Sequence, residues 1–157
     1  MSGEHPDRMM TRRQTLVAAG GLALLGVTSR LQPATADEAA TQEAIKKIVG
    51  DKLLKEGRIK LKLPQIAENG NTVPLSFSVE SPMTKDDYVK AVHLFAEGNP
   101  LPGVASMHFT PRSGKAQAST RIRLAKTQTV IALAEMSDGS VYISKGLVKV
   151  TIGGCGG

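Results

Sequence analysis

The sequence predicts a mainly β chain: an immunoglobulin-like antiparallel sandwich with an N-terminal helix and a flexible C-terminal arm. Three observations carry this. Across residues 58–152, seven or eight short runs alternate apolar and polar residues and are separated by Gly, Pro, Asn and Asp. Ahead of them, one stretch keeps helical spacing instead. Behind them, the chain ends in five residues of which four are glycine.

Composition sets the bounds. The 157 residues suit one domain, and 41% hydrophobic with 22% charged residues is a globular balance. With no Trp, two Tyr and three Phe, the core must come from Val, Ile, Leu, Ala and Met. A single Cys excludes an intramolecular disulfide and a CxxC metal or redox site, and three scattered His do not make a metal cluster. Met83, Met107 and Met136 read as core filler.

Residues 1–36 read as an address. Arg12 and Arg13 precede an apolar run from Leu16 to Val27. Twelve residues rising ~1.5 Å each span about 18 Å, short of the ~30 Å bilayer core, so the run is a signal-peptide core and not an anchor. Ala34-Thr35-Ala36 supplies the cleavage motif, which puts the cut between Ala36 and Asp37. The arginine pair resembles a twin-arginine signal, although Thr15 and Val17 depart from its usual residues; an ordinary Sec signal is the alternative. Either route exports the chain, and the expected location is the periplasm. No Cys follows the apolar run, so this is not a lipoprotein signal.

The leader takes four Arg and two acids with it, leaving sixteen basic and twelve acidic residues. No aromatic residues interleave with the basic ones, and an exported protein meets little nucleic acid, so nucleic-acid binding is a poor reading.

The helix is expected over Asp37–Glu56 and, with Gly57, makes the segment 37–57. Ile45, Ile48, Val49 and Leu53 form one apolar stripe, and Gly57 suits the left-handed residue that ends a helix. Asp37 and Glu38 complement its positive end, Lys52 and Lys55 its negative end.

After Gly57 the period becomes two. Ile59, Leu61 and Leu63 alternate with Arg58, Lys60 and Lys62; Asn69-Gly70 is a turn. Val73, Leu75, Phe77 and Val79 form the next strand, where Pro74, lacking an N–H, argues for an edge or strand end. Further strands are expected at 88–96, 104–109, 116–124, 130–136, 141–143 and 147–152, with Asp138-Gly139 as a hairpin turn. Arg58, Lys60 and Lys62 form one basic face and Arg121 and Arg123 another; solvation explains both, and steering toward acidic partners or attraction of an anion is the functional alternative.

The tail, 153–157, carries the chemistry. Gly153, Gly154, Gly156 and Gly157 surround Cys155, the chain's one thiol. Glycine gains little from burial and loses most on ordering, so a mobile arm is expected. Five extended residues reach roughly 17 Å, thin enough to enter a narrow opening. No His, Arg or Lys lies within five residues of Cys155 to lower its pKa from about 8.5, so activation must come from a partner's pocket. That suits a carrier better than a fixed catalytic site.

The segment Val148-Lys149-Val150-Thr151-Ile152-Gly153-Gly154-Cys155-Gly156-Gly157 resembles the C-terminus of the SoxY family, the sulfur-binding carrier subunits of the bacterial thiosulfate-oxidising Sox system. Pro64–Gly70, His93–Pro100 and Ala134–Ser140 resemble the same family. The resemblance implies a non-catalytic subunit with no cofactor that pairs with SoxZ and carries a covalent sulfur or thiosulfate adduct on Cys155. It implies that the haem protein SoxAX attaches thiosulfate, that SoxB hydrolyses sulfate away, and that SoxCD oxidises the remaining sulfur.

Three rivals stand beside it. A ubiquitin-like carrier would bear a thiocarboxylate on Gly157, but it needs ATP, which an exported chain does not meet. A cysteine-based oxidoreductase would need a base near Cys155, and His93 and His108 are the candidates in the mature chain. A disulfide-linked homodimer through Cys155 would not explain the four glycines. No His or carboxylate spacing supports a metal site.

Overall fold

The structure, a computed structural model, describes residues 38–154. The leader with Arg12, Arg13, Ala36 and Asp37, and the last three residues with Cys155, lie outside the described residues.

Helix α1 covers Glu38–Val49, shorter than the expected Asp37–Glu56. Gly50 ends it, not Gly57: its φ is +62° and its amide donates to the Lys46 carbonyl at 2.7 Å. Ile45 and Val49 are buried as the stripe requires, while Leu53, beyond the helix, is 85% exposed. Lys46 and Lys47, rather than Lys52 and Lys55, therefore occupy the last turn.

The strands are β1 (Leu54–Lys55), β2 (Ile59–Lys62), β3 (Ile66–Asn69), β4 (Val73–Val79), β5 (Val89–Ala96), β6 (Gly103–His108), β7 (Ala116–Ile122), β8 (Gln128–Met136) and β9 (Val141–Ile152). One sheet has the order β1-β9-β8-β5-β6, with β3 also on β9; the other has the order β2-β4-β7. The long pairings are antiparallel as expected, from Gln128↔Val148 to Glu135↔Val141 and from Val73↔Ile122 to Val79↔Ala116.

Two pairings depart from the all-antiparallel expectation. β1 and β3 run parallel to β9, with Leu54↔Val141 and Ile66↔Lys149. Both are too short to show a period and owe their form to the free edge of β9. The expected break between 143 and 147 is also absent, because β9 runs unbroken past Gly146. That glycine does not bend the strand; it makes room, since a Cβ there would lie 2.8 Å from Leu63 Cδ1.

The sandwich core lies between the sheets. Val73, Leu75, Phe77 and Val79 face Val92 and Leu94 of β5 and Val130, Ala132 and Ala134 of β8. Met83 and Met136 are buried there, and Met107 packs against them. On the other face of the large sheet, α1 covers Phe95, Ile131, Leu133 and Val141 with Ile45 and Val49. β5 and β8 are thus buried on both faces, which is why they read as nearly continuous apolar runs.

Pro74 lies beyond the end of β2, which stops at Lys62↔Ser76, as a strand-end proline should. At the β8–β9 turn Gly139 takes φ +83°. The Ser140 hydroxyl and then its amide donate to Asp138 at 2.7 and 2.8 Å, holding that carboxyl below its usual range.

Candidate functional site: the root of the C-terminal arm

β9 delivers the tail to one end of the sandwich. Its last residues pair with β3, ending at Asn69↔Ile152, and the Gly70 amide donates to the Ile152 carbonyl at 2.8 Å. From there the backbone crosses two loops. The Leu124 amide donates to Gly70 O at 2.8 Å, and the Gly154 amide donates to Leu124 O at 2.9 Å. Backbone therefore lies directly on backbone. A Cβ would fall 2.2 Å from Leu124 O at Gly70, 2.2 Å from Ala125 O at Gly153, and 2.9 Å from Gly70 C at Gly154. Real Cβ atoms do not come that close to a carbonyl, so only glycine fits at these positions as they stand.

The seat under the tail is held by a buried polar network. Asn99 is 3% exposed; its amide nitrogen donates to Arg123 O at 2.9 Å, and its oxygen accepts from the Ala125 amide at 3.0 Å and from Gln128 Nε2 at 2.9 Å. Gln128 Oε1 in turn accepts from the Gly98 amide at 2.7 Å. Thr127 Oγ1 accepts from the Val150 amide at 2.9 Å and ties β9 to the same loop. No buried side-chain nitrogen or oxygen among the described residues lacks a partner.

Of the arm expected over 153–157, Gly153 and Gly154 rest against the body in this structure, Gly153 exposed and Gly154 buried. The physical reason is the crossing itself: a segment without side chains can approach backbone closely enough to hydrogen-bond with it. Cys155, Gly156 and Gly157 follow directly, outside the described residues.

The histidines sit elsewhere. His93, on β5 and 7% exposed, has Nδ1 at 2.7 Å from Ser106 Oγ and Nε2 at 2.9 Å from Glu135 Oε1, so both ring nitrogens are engaged. His108 is exposed and stands edge-on to it at 6.3 Å. The atoms that meet Gly153 and Gly154 belong to Gly70, Asn71, Leu124 and Ala125, not to either histidine. Among the described residues, no three His, Cys, Asp or Glu gather as a metal site.

The basic faces are partly claimed. Lys60 lies 2.6 Å from Glu80, and their hydrogen bond lowers the Glu80 carboxyl and raises the Lys60 ammonium. Arg58 reaches Asp87 at 3.5 Å and lies over the Tyr142 ring. Lys62 and Arg121 line a shallow groove with Ser76 and Ser119 on the outer face of the small sheet.

Sequence reasoning found the glycines of the tail but missed Gly70, Asn99 and Gln128. Asn69-Gly70 was legible as a turn; that its glycine serves the tail was not, because the other half of the crossing lies far along the chain.

Comparison with known proteins places this architecture. The structure of the sulfur carrier protein SoxY from Chlorobium limicola f thiosulfatophilum matches with a TM-score of 0.60 and 33% identity, covering 71% of this chain and 96% of that one. A superoxide reductase (neelaredoxin) from Ignicoccus hospitalis matches at TM-score 0.53 and 16% identity over 74% of this chain and 95% of that one. A putative superoxide reductase from Thermotoga maritima matches at 0.52 and 17% over 62% and 93%. At such identities these two share the fold alone. No curated protein matches the chain.

The class is therefore a β-sandwich fold, shared by proteins of low sequence identity. The family described as sulfur oxidation protein SoxY matches residues 45–155, and the chain belongs to that family of sulfur carriers.

Proposed function

We propose that this protein is an exported, periplasmic sulfur carrier that holds thiosulfate-derived sulfur on Cys155 and presents it to separate enzymes of a Sox system. The observation that supports it is the extent of the family match, which runs from α1 through the sandwich and ends on the thiol itself, residues 45–155. In this reading residues 1–36 are a leader that directs twin-arginine export, and the mature chain starts at Asp37.

Coupling joins the Cys155 sulfur to the outer sulfur of thiosulfate, releases the thiol proton, and passes two electrons, one at a time, through the haem of a SoxAX-like enzyme to that enzyme's own electron acceptor. Water then attacks the sulfonate sulfur, as in a SoxB-like hydrolase. The outer S–S bond breaks, sulfate and a proton leave, and a persulfide stays on Cys155. A SoxCD-like dehydrogenase would oxidise that persulfide sulfur to a sulfonate, taking its oxygens from water and passing the electrons to its own acceptor, before a last hydrolysis releases sulfate and restores the thiol. The chain itself contributes a sulfur, a tether and a docking body, with no cofactor of its own, and works as a heterodimer with a SoxZ-like subunit. A homodimer linked through Cys155 is a side form.

Intact-mass analysis of protein exported by thiosulfate-grown cells tests this. The C-terminal peptide should carry added sulfur or thiosulfate on Cys155, and Cys155→Ser should abolish thiosulfate-dependent turnover of the reconstituted system while the fold melts as before. Turnover that survives in Cys155→Ser refutes the assignment. Sulfur in place of oxygen on Gly157 would move it to the thiocarboxylate class.

A further inference from the structure

The glycines before Cys155 do more than confer freedom. A mobile tether could be built from Ser or Ala as well as from Gly; a tether that must lie on another backbone could not. Gly153 meets Ala125 O at 2.2 Å and Gly154 meets Gly70 C at 2.9 Å if a Cβ is added to either. Gly70, in a turn more than eighty residues away, shows the same requirement toward Leu124 O and the Gly154 amide, at 2.2 and 2.6 Å. The three positions form one contact, and each needs the missing Cβ for the same reason.

That contact is balanced rather than permanent. Among the described residues, the Gly154 amide donating to Leu124 O is the bond that holds the docked pair, and neither Gly153 nor Gly154 has a side chain to bury with it. A single hydrogen bond exchanged with water shifts an equilibrium by roughly two- to tenfold, and ordering two glycines works against it. The receiving side is rigid, because Asn99 clamps Arg123 and Ala125 on either side of Leu124.

We propose that Gly153 and Gly154 are a latch: docked on Gly70, Leu124 and Ala125, they hold the thiol-bearing end short, and their release lengthens the arm. Release of Gly153 and Gly154 adds two residues to the length the tether can span, about 7 Å. Gly70 is a positioning residue for the docked state. The latch rests on backbone geometry, and its consequence for delivering cargo rests on the carrier reading above.

The test is hydrogen exchange of the C-terminal peptide in the full mature chain, together with the rate at which a bulky maleimide alkylates Cys155. Wild type is compared with Gly153→Ala/Gly154→Ala, and each with a synthetic peptide of its own terminal sequence. Wild type should exchange and react several-fold more slowly than its free peptide; the double variant should match its free peptide, at an unchanged melting temperature. Wild-type rates equal to those of the free peptide, or protection that persists in the double variant, would overturn the latch. Neither readout uses thiosulfate, so failure here leaves the adduct experiment standing, and failure of that experiment leaves the latch standing.

Discussion

Asn99 shows how much one buried side chain can organise. Its amide serves the Arg123 carbonyl, the Ala125 amide and the Gln128 side chain, so the loop that seats the tail has its shape from a residue in a different loop. Asn99→Ala removes the bonds to the Arg123 carbonyl, the Ala125 amide and the Gln128 side chain, of which Gln128 Nε2 alone keeps a second partner, the Lys126 carbonyl at 3.1 Å. The expected cost is about 1–3 kcal/mol, read as a fall of several degrees in the thermal midpoint; an unchanged midpoint would show that the network contributes nothing. From sequence, Glu97-Gly98-Asn99-Pro100 reads as a loop and as the end of a segment that resembles the family, with nothing to say what Asn99 bonds. Its partners stand 24, 26 and 29 residues away, and no local pattern reports them. His93 is similar: its place in a strand was legible, whereas its bonds to Ser106 and Glu135 depend on strand register.

Among the elements, α1 and β9 carry the instructive differences. The apolar stripe correctly located the helix and the face it buries, but its end was set by backbone geometry. Gly50 and Gly57 both take positive φ, and the first one reached by the chain stops the helix. A Cβ on Gly50 would meet nothing within 4 Å, so Gly50→Ala isolates the backbone term. Holding alanine in the left-handed region costs about 1 kcal/mol; the urea midpoint should fall with its slope unchanged. β9 failed as two strands for the opposite reason. Gly146 looks like a breaker in sequence, but it serves as a gap into which Leu63 packs.

For the whole molecule, the large sheet is the shared wall of two cores, one facing the small sheet and one facing α1. Ile45 and Val49 close the second core over Phe95, Ile131 and Leu133. Ile45→Ala should therefore cost about 2–4 kcal/mol as a cavity substitution. Measured by denaturant unfolding, a loss below about 0.5 kcal/mol would mean that the helix is not part of the cooperative unit. Both faces of the large sheet are thus covered, and the tail is seated at one end of this packed body.

The residues by themselves determined that the chain is a β-sandwich with one helix in front, that its thiol lies at the end of a glycine tail, and which family it resembles. Those are properties of period, composition and short motifs, each contained within a few neighbouring positions. Only the tertiary structure decided that β1 and β3 lie parallel on β9, that Asn99 is buried, and that Gly153 and Gly154 rest on Gly70, Leu124 and Ala125. Each of those depends on backbone atoms drawn together from distant parts of the chain, where the absence of a side chain matters only once its neighbour is in place.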